Sequence, residues 1–229
     1  MDKNEDNRGR KRIYDVQKTR GTILAAAGAA FAEHGFKGTS IDSIAAKAGY
    51  NKSLIFQYFD NKKGLYVEVL SQIDDEMSEL ITCIVATSLH ESPDTYNKEW
   101  FKSFIRTILE SLIDFMIDHP HFMRLMNWEQ AEGWSSLVKV SSKFEPTHFP
   151  KIEKLFKKAQ NSDFIRDDLD ISFMLLFIMQ ICWSVPSLLP LFKCVPVSED
   201  NLFTDTWDNY KDQTVIFIIN GIMKLPQNK

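Results

Sequence analysis

Apolar residues recur along most of this chain at intervals of three and four, the spacing of helices with one buried face. From Val16 to His34 they fall at Ile23, Leu24, Ala27, Ala30 and Phe31, and Gly35 follows where a helix is expected to stop. Thr39 and Ser40 are suitable N-caps for a short helix from Ile41 to Ala48, which Gly49 ends. After Tyr50 and Asn51 a second short helix is predicted over Lys52 to Phe59. A longer one follows Asn61 and carries Leu65, Leu70, Ile73, Met77, Leu80, Ile81 and Ile84, long enough to act as a connector. Ser92, Pro93 and Asp94 break the pattern. Further helices are predicted at 97–118, 120–131 and 146–161, and over two strongly apolar stretches, Ile171 to Leu189 and Trp207 to Met223; residues 133–142 give no clear reading. Pro186 and Pro190 are expected to end or kink the helix that begins at Ile171. Period-two alternation and hairpin turn signals are missing, so the expected fold class is all-α.

Charge divides this pattern in two. The formal net charge is −4, yet residues 1–70 hold 12 Lys+Arg against 8 Asp+Glu, and the remainder 15 against 23. A basic head on an acidic body can present a polyanion to one end only. Residues 1–15, with Arg8, Arg10, Lys11 and Arg12 and few apolar anchors, are expected to be a disordered basic arm.

The chemistry-bearing motifs that would mark an enzyme are missing. There is no Ser/His/Asp arrangement, nucleotide fingerprint or phosphate-cradling glycine loop. His119-Pro120-His121 lacks neighbouring ligands at metal spacing, and Asp163, Asp167, Asp168 and Asp170 lack the glycine and terminal glutamate of a calcium loop. The acidic group is expected to cap the helix that follows. No enzyme, cofactor or metal is expected. Cys83, Cys182 and Cys194 make an odd count without a CxxC pair, the usage of reduced thiols. With no secretory h-region at the start and no uninterrupted apolar run of membrane length, the expected location is cytoplasmic, with no membrane partner.

Two short helices joined by Gly49-Tyr50-Asn51 have the spacing of a helix-turn-helix. Ala45 and Ala48 are small enough for the helices to cross closely, and Gly49 can take the positive φ of the turn. Ile44, Ile55 and Phe59 would pack against Phe31, which leaves Lys52, Ser53, Phe56 and Gln57 facing outward. Lys62 and Lys63 stand in the first turn of the next helix, where the helix dipole disfavours cations, and Gly64 occupies the place of a capping-box Glu or Gln. Stability is given up there at a helix start suited to a phosphate.

Gly35, Thr39-Ser40, Ile44-Ala45, Ala48-Gly49, Ile55, Tyr58-Phe59, and Lys62 followed by Leu65 together resemble the TetR family of regulators. Weaker likenesses extend to Pro120–Glu129, Phe164–Asp168 and Val215–Met223. The resemblance implies a helix-turn-helix DNA-binding domain at 16–66 and a helical-bundle domain for ligand binding and dimerisation at 67–229. It implies a homodimer on double-stranded DNA with a pseudo-palindromic operator. It also implies phosphate contacts from Ser40, Tyr58 and Lys62, and major-groove contacts from Lys52, Ser53, Phe56 and Gln57. Phe56 stands where the family usually has tyrosine, which removes a hydroxyl contact but leaves packing on a thymine methyl. Leu54 stands where a threonine often touches phosphate.

In the body, Met and aromatic residues suit a cavity whose walls adjust to an apolar occupant. The expected lining is Phe115, Met123, Met126, Trp128, Phe177 and Trp183, with Glu129 as a polar anchor. The function expected is a transcriptional repressor released by a small hydrophobic effector. Two alternatives stand beside it: a DNA-binding protein of the same fold without a transcriptional role, and a helical small-molecule-binding protein that has lost DNA binding.

Overall fold

A computed structural model describes residues 3–89, 96–140, 149–192, 194 and 207–224. The break at Ser92-Pro93-Asp94 lies outside the described residues. Ten helices are described: α1 Lys3–Gly38, α2 Ile41–Ala48, α3 Lys52–Phe59, α4 Lys62–Leu89, α5 Lys98–Asp118, α6 Pro120–Ala131, α7 Leu137–Val140, α8 Phe149–Asn161, α9 Ile171–Phe192 and α10 Trp207–Ile222. Among the described residues no strand forms, and one isolated β-bridge pairs Ile165 with Met223. The all-α expectation holds.

Two expectations are corrected. The arm at 1–15 is helical from Lys3 onward. Helix α9 also continues through Pro186 and Pro190 to Phe192, each proline removing a donor from the ladder without ending the helix. Interrupted only by residues such as Ser172, Gln180 and Ser184, the window Ile171–Leu188 has a mean hydropathy of 1.8, enough by length and composition to cross a membrane.

The chain forms two compact units, Met1–Asp75 with His121–Glu145, and Glu76–Pro120 with Pro146–Lys229. The boundary expected at 66/67 therefore falls within α4, inside the first unit, and α6 from His121 onward joins the head.

In the first unit Ile23, Ala27 and Phe31 of α1 meet Ile44 of α2, Ile55 and Phe59 of α3, and Leu65 and Tyr66 of α4 in a buried core. Gly35 interrupts α1 with φ 68° and ψ 174°, a conformation open to glycine and costly for other residues. The chain then turns, and the Thr39 hydroxyl, buried, lies 3.0 Å from the Ala30 carbonyl and 2.8 Å from that of Gly35. Thr39 thus closes the turn after α1, and Ser40 alone caps α2.

In the second unit, α5 buries Phe101, Ile105, Leu109, Leu112 and Met116; α9 and α10 pack on this helix, and Phe101 meets Phe156 of α8 edge-on. His119 ends α5 with its ring 3.9 Å from Phe115, Nδ1 2.7 Å from the Phe115 carbonyl and Nε2 3.2 Å from Glu76. That is a structural role. The turn before α9 is clasped to the end of α10: Arg166 donates its amide to Ile222 (2.9 Å), and Lys224 donates its own to Phe164 (3.0 Å). The acidic cluster there is neutralised from within. Lys224 reaches Asp163 (2.6 Å) and Asp167 (3.4 Å), Arg166 binds Asp168, and Asp170 caps α9 by accepting from Ser172 (2.8 Å) and Phe173 (3.3 Å). The Arg166 guanidinium holds the Asp168 carboxyl below its ordinary range, as Lys224 does for Asp163.

Candidate nucleic-acid interface

Local chemistry fixes both helices of the candidate reading head. Ser40 and Ser43 form a reciprocal capping box at the start of α2, with Ser43 N to Ser40 Oγ at 3.0 Å and Ser40 N to Ser43 Oγ at 3.3 Å. Gly49 ends α2 at φ 73°, ψ 24°, the left-handed turn expected of it. Asn51 caps α3 by accepting from the Leu54 amide at 2.8 Å. Tyr50, in the turn, lies with its hydroxyl 3.4 Å from that of Thr19 on α1.

Burial then sorts the two faces of α3. Ile55 and Phe59 are buried, whereas Lys52, Ser53, Phe56 and Gln57 are exposed. These four were expected on the outer face, and the structure puts them there together. Lys52 Nζ lies 2.9 Å from Asp42 and 6.0 Å above the Phe56 ring. Both partners are exposed, so the pair is worth about 1 kcal/mol or less and Lys52 can be released at small cost. Ser40 is exposed at its cap. Tyr58 is half-buried, its ring 6.1 Å from that of Phe59.

The start of α4 differs from its sequence reading. Asn61 caps it by accepting from the Gly64 amide at 3.0 Å. Gly64 is there for space: a Cβ at this position would stand 2.2 Å from the Phe59 carbonyl oxygen. The glycine is thus a requirement of the tight α3–α4 turn, and stability is not given up at that position. Lys62 is half-buried, its ammonium 4.6 Å above the Phe36 ring, and desolvation lowers its pKa. Lys63 is exposed.

The residues expected to line one apolar pocket are divided between the units. Met123 and Met126 are buried in the head unit, where Trp128 also lies, packed over Gly35. Phe115, Phe177 and Trp183 belong to the second unit. Phe115 is buried, Trp183 is half-buried, and Phe177 is 60% exposed on the outer face of α9. Glu129, expected as a polar anchor, is buried and occupied: Oε1 accepts from the Tyr66 hydroxyl at 2.6 Å, and Oε2 from the amides of Ser136 (3.2 Å) and Leu137 (2.9 Å). Sequence reasoning missed this contact and the Trp128–Gly35 contact, since each joins segments far apart in the chain. Two open clefts in the head unit have linings that are part polar and part apolar. One of about 320 Å³ involves Ala32, Glu33, Arg124, Asn127 and Trp128. The other, about 280 Å³, lies among Gln17, Arg20, Gly21, Leu24, Glu68, Ser71, Gln72 and Asp75. Among the described residues no group of His, Cys, Asp and Glu is placed to hold a metal.

Comparison with known proteins agrees with this geometry. Residues 23–69 match the sequence model for bacterial regulatory proteins of the tetR family, and residues 102–193 match that for the tetracyclin repressor-like C-terminal domain. The HTH-type transcriptional repressor SCO4008 of Streptomyces coelicolor is 30% identical over 193 residues, covering 83% of this chain and 90% of that protein. The HTH-type transcriptional repressor NicS of Pseudomonas putida is 25% identical over 178 residues, covering 75% of this chain and 77% of that one. Among solved structures, a TetR family transcription regulator from Marinobacter aquaeolei superposes with a TM-score of 0.66 at 14% identity, over 93% of this chain and 100% of that chain. An outward α3 face on a capped helix-turn-helix, with family matches over the head and much of the remaining chain, identifies this protein as a member of the TetR family of DNA-binding transcriptional regulators.

Proposed function

We propose that this regulator is a homodimeric repressor that reads a pseudo-palindromic operator through α3 and is released by a small hydrophobic effector. The observation that carries the DNA part is the sorting of α3, with Ile55 and Phe59 buried and Lys52, Ser53, Phe56 and Gln57 exposed as one surface. In this reading residues 16–66 read DNA and residues 67–229 sense and dimerise. Lys52 and Gln57 contact base edges, Ser53 and Phe56 flank them, and Ser40, Tyr58 and Lys62 hold phosphates. Repression is favoured because two relatives bear that name.

Pairing is supported by the outer face of α9. Phe173, Leu176, Phe177, Leu188 and Leu191 are each 45–60% exposed there, and Phe217 on α10 is 69% exposed. A contiguous apolar face of this kind is what a subunit interface covers. Phe177 is thereby assigned to the interface. The effector site proper is proposed within the second unit, around Phe115 and Trp183.

The test is a mobility-shift titration on duplexes from the region upstream of the chain's own coding sequence. Gln57→Ala or Lys52→Ala is expected to lower affinity for the preferred duplex by about 1–3 kcal/mol, leaving binding to unrelated duplex nearly intact. Equal weakening on both would make the residue a phosphate contact and overturn its role in base readout. An absence of any preferred duplex would overturn the operator reading.

A further inference from the structure

The start of α4 is tied to α6 through a continuous set of side-chain contacts. Lys62 and Tyr66 stand one turn apart on α4. The Lys62 ammonium rests 4.6 Å above the Phe36 ring. Phe36 is itself held between Tyr66, at 4.9 Å between ring centres, and Phe31, at 6.0 Å. Tyr66 meets Phe31 edge-on at 4.9 Å and is almost completely buried, so its ring has no room to turn away. Its hydroxyl ends on Glu129 Oε1 at 2.6 Å, and the other oxygen of Glu129 takes the Ser136 and Leu137 amides after α6.

Each contact limits the next. The two amides and the hydroxyl fix the carboxylate, the carboxylate fixes the phenol, the phenol fixes the Phe36 ring, and the ring face attracts the cation. A lysine side chain otherwise loses rotamer freedom when it is held in one place. Here part of that ordering is already done before any anion arrives.

We propose that Tyr66 and Glu129 are positioning residues for DNA binding, holding the Phe36 ring so that the Lys62 ammonium is pre-placed for a backbone phosphate. This rests on the reading of Lys62 as a phosphate contact. Neither Tyr66 nor Glu129 touches DNA; both act through Phe36.

A double-mutant cycle tests it, read as fluorescence anisotropy of a labelled 30-base-pair duplex of random sequence titrated between roughly 50 and 200 mM salt. Lys62→Ala removes one phosphate contact from each subunit of the proposed dimer and is expected to reduce the salt slope by about two units. Tyr66→Phe keeps the charge and is expected to lower affinity about two- to fivefold, the range of one cation–π contact. In the Tyr66→Phe background Lys62→Ala is then expected to cost clearly less than it does alone. If the two effects simply multiply, the positioning role is overturned while the phosphate contact stands. If Lys62→Ala alone leaves the slope unchanged, the phosphate contact fails and the proposal with it. Should Tyr66→Phe lose its helical circular dichroism, Phe36→Leu replaces it in the cycle, removing the ring face while keeping apolar volume, with the same coupling expected and additivity again decisive. A purely structural role would lower the unfolding temperature without coupling to Lys62.

Discussion

Trp128 closes over Gly35: a Cβ on that glycine would stand 3.0 Å from Cδ2 of the indole and 3.1 Å from Cε3. The same glycine turns the chain at φ 68°, ψ 174°, so two independent constraints act on one position. Gly35→Ala is expected to destabilise the head by about 1–3 kcal/mol from backbone conformation, with a steric part added. Combining it with Trp128→Ala relieves only the steric part, so the double variant should remain less stable than Trp128→Ala alone. Urea unfolding measures this, and an unchanged midpoint for Gly35→Ala would contradict it.

Gly64 and Gly21 are both helical glycines, and they predict opposite outcomes. Gly64→Ala would bring a methyl to 2.2 Å from the Phe59 carbonyl, so the α3–α4 turn must shift; a loss of about 1–3 kcal/mol and weaker DNA binding are expected. A Cβ on Gly21 meets nothing within 4 Å, and Gly21→Ala is expected to stabilise by about 0.5–1 kcal/mol through helix propensity. Thermal melts of the two variants check the pair, and a shift of the same sign in both would refute the argument.

Phe217 and Ile218 are neighbours on α10 with opposite surroundings, 69% and 3% exposed. Phe217→Glu is expected to leave the fold intact and yield monomers in sedimentation analysis. Ile218→Glu buries an unpaired carboxylate and is expected to lower the unfolding temperature sharply. Of the two, only Phe217 is therefore placed to report on pairing. A dimer unaffected by Phe217→Glu would remove α10 from the interface centre.

Burial pushes the Cys182 thiol up to about 12, while Cys83 and Cys194 are exposed. At pH 8 two thiols should react readily with a disulfide reagent in the native protein, and a third only after denaturation, because the thiolate is the reacting form. Rapid reaction of all three in the native state would show that α9 opens at Cys182.

The helix-turn-helix was legible because its determinants are local. Caps such as Ser40 and Asn51 and the left-handed Gly49 act within four residues, and Ile44, Ile55 and Phe59 reveal the inner face by spacing alone. Identifying the outward residues of α3 required nothing beyond that periodicity. Gly64 was visible as an anomaly, but its cause, the Phe59 carbonyl, belongs to the folded turn.

Periodicity says that a helix has a face to bury and leaves open what covers it. Glu129 and Phe177 make the point. Glu129 lay among Met and aromatic residues and read as an anchor for a ligand, yet its carboxylate is taken up by Tyr66, 63 residues away in sequence. Phe177 read as a cavity wall and is 60% exposed, on the face of α9 opposite Met174, Ile178 and Cys182. By itself the sequence determined the short helices of the head with their caps and turns, the outward surface of α3 and the basic charge of the head, because these follow from backbone chemistry and charge within a few residues. The tertiary structure alone decided the partners of Gly35, Tyr66 and Glu129 and the grouping of α6 with the head, because burial is set by which distant segments meet.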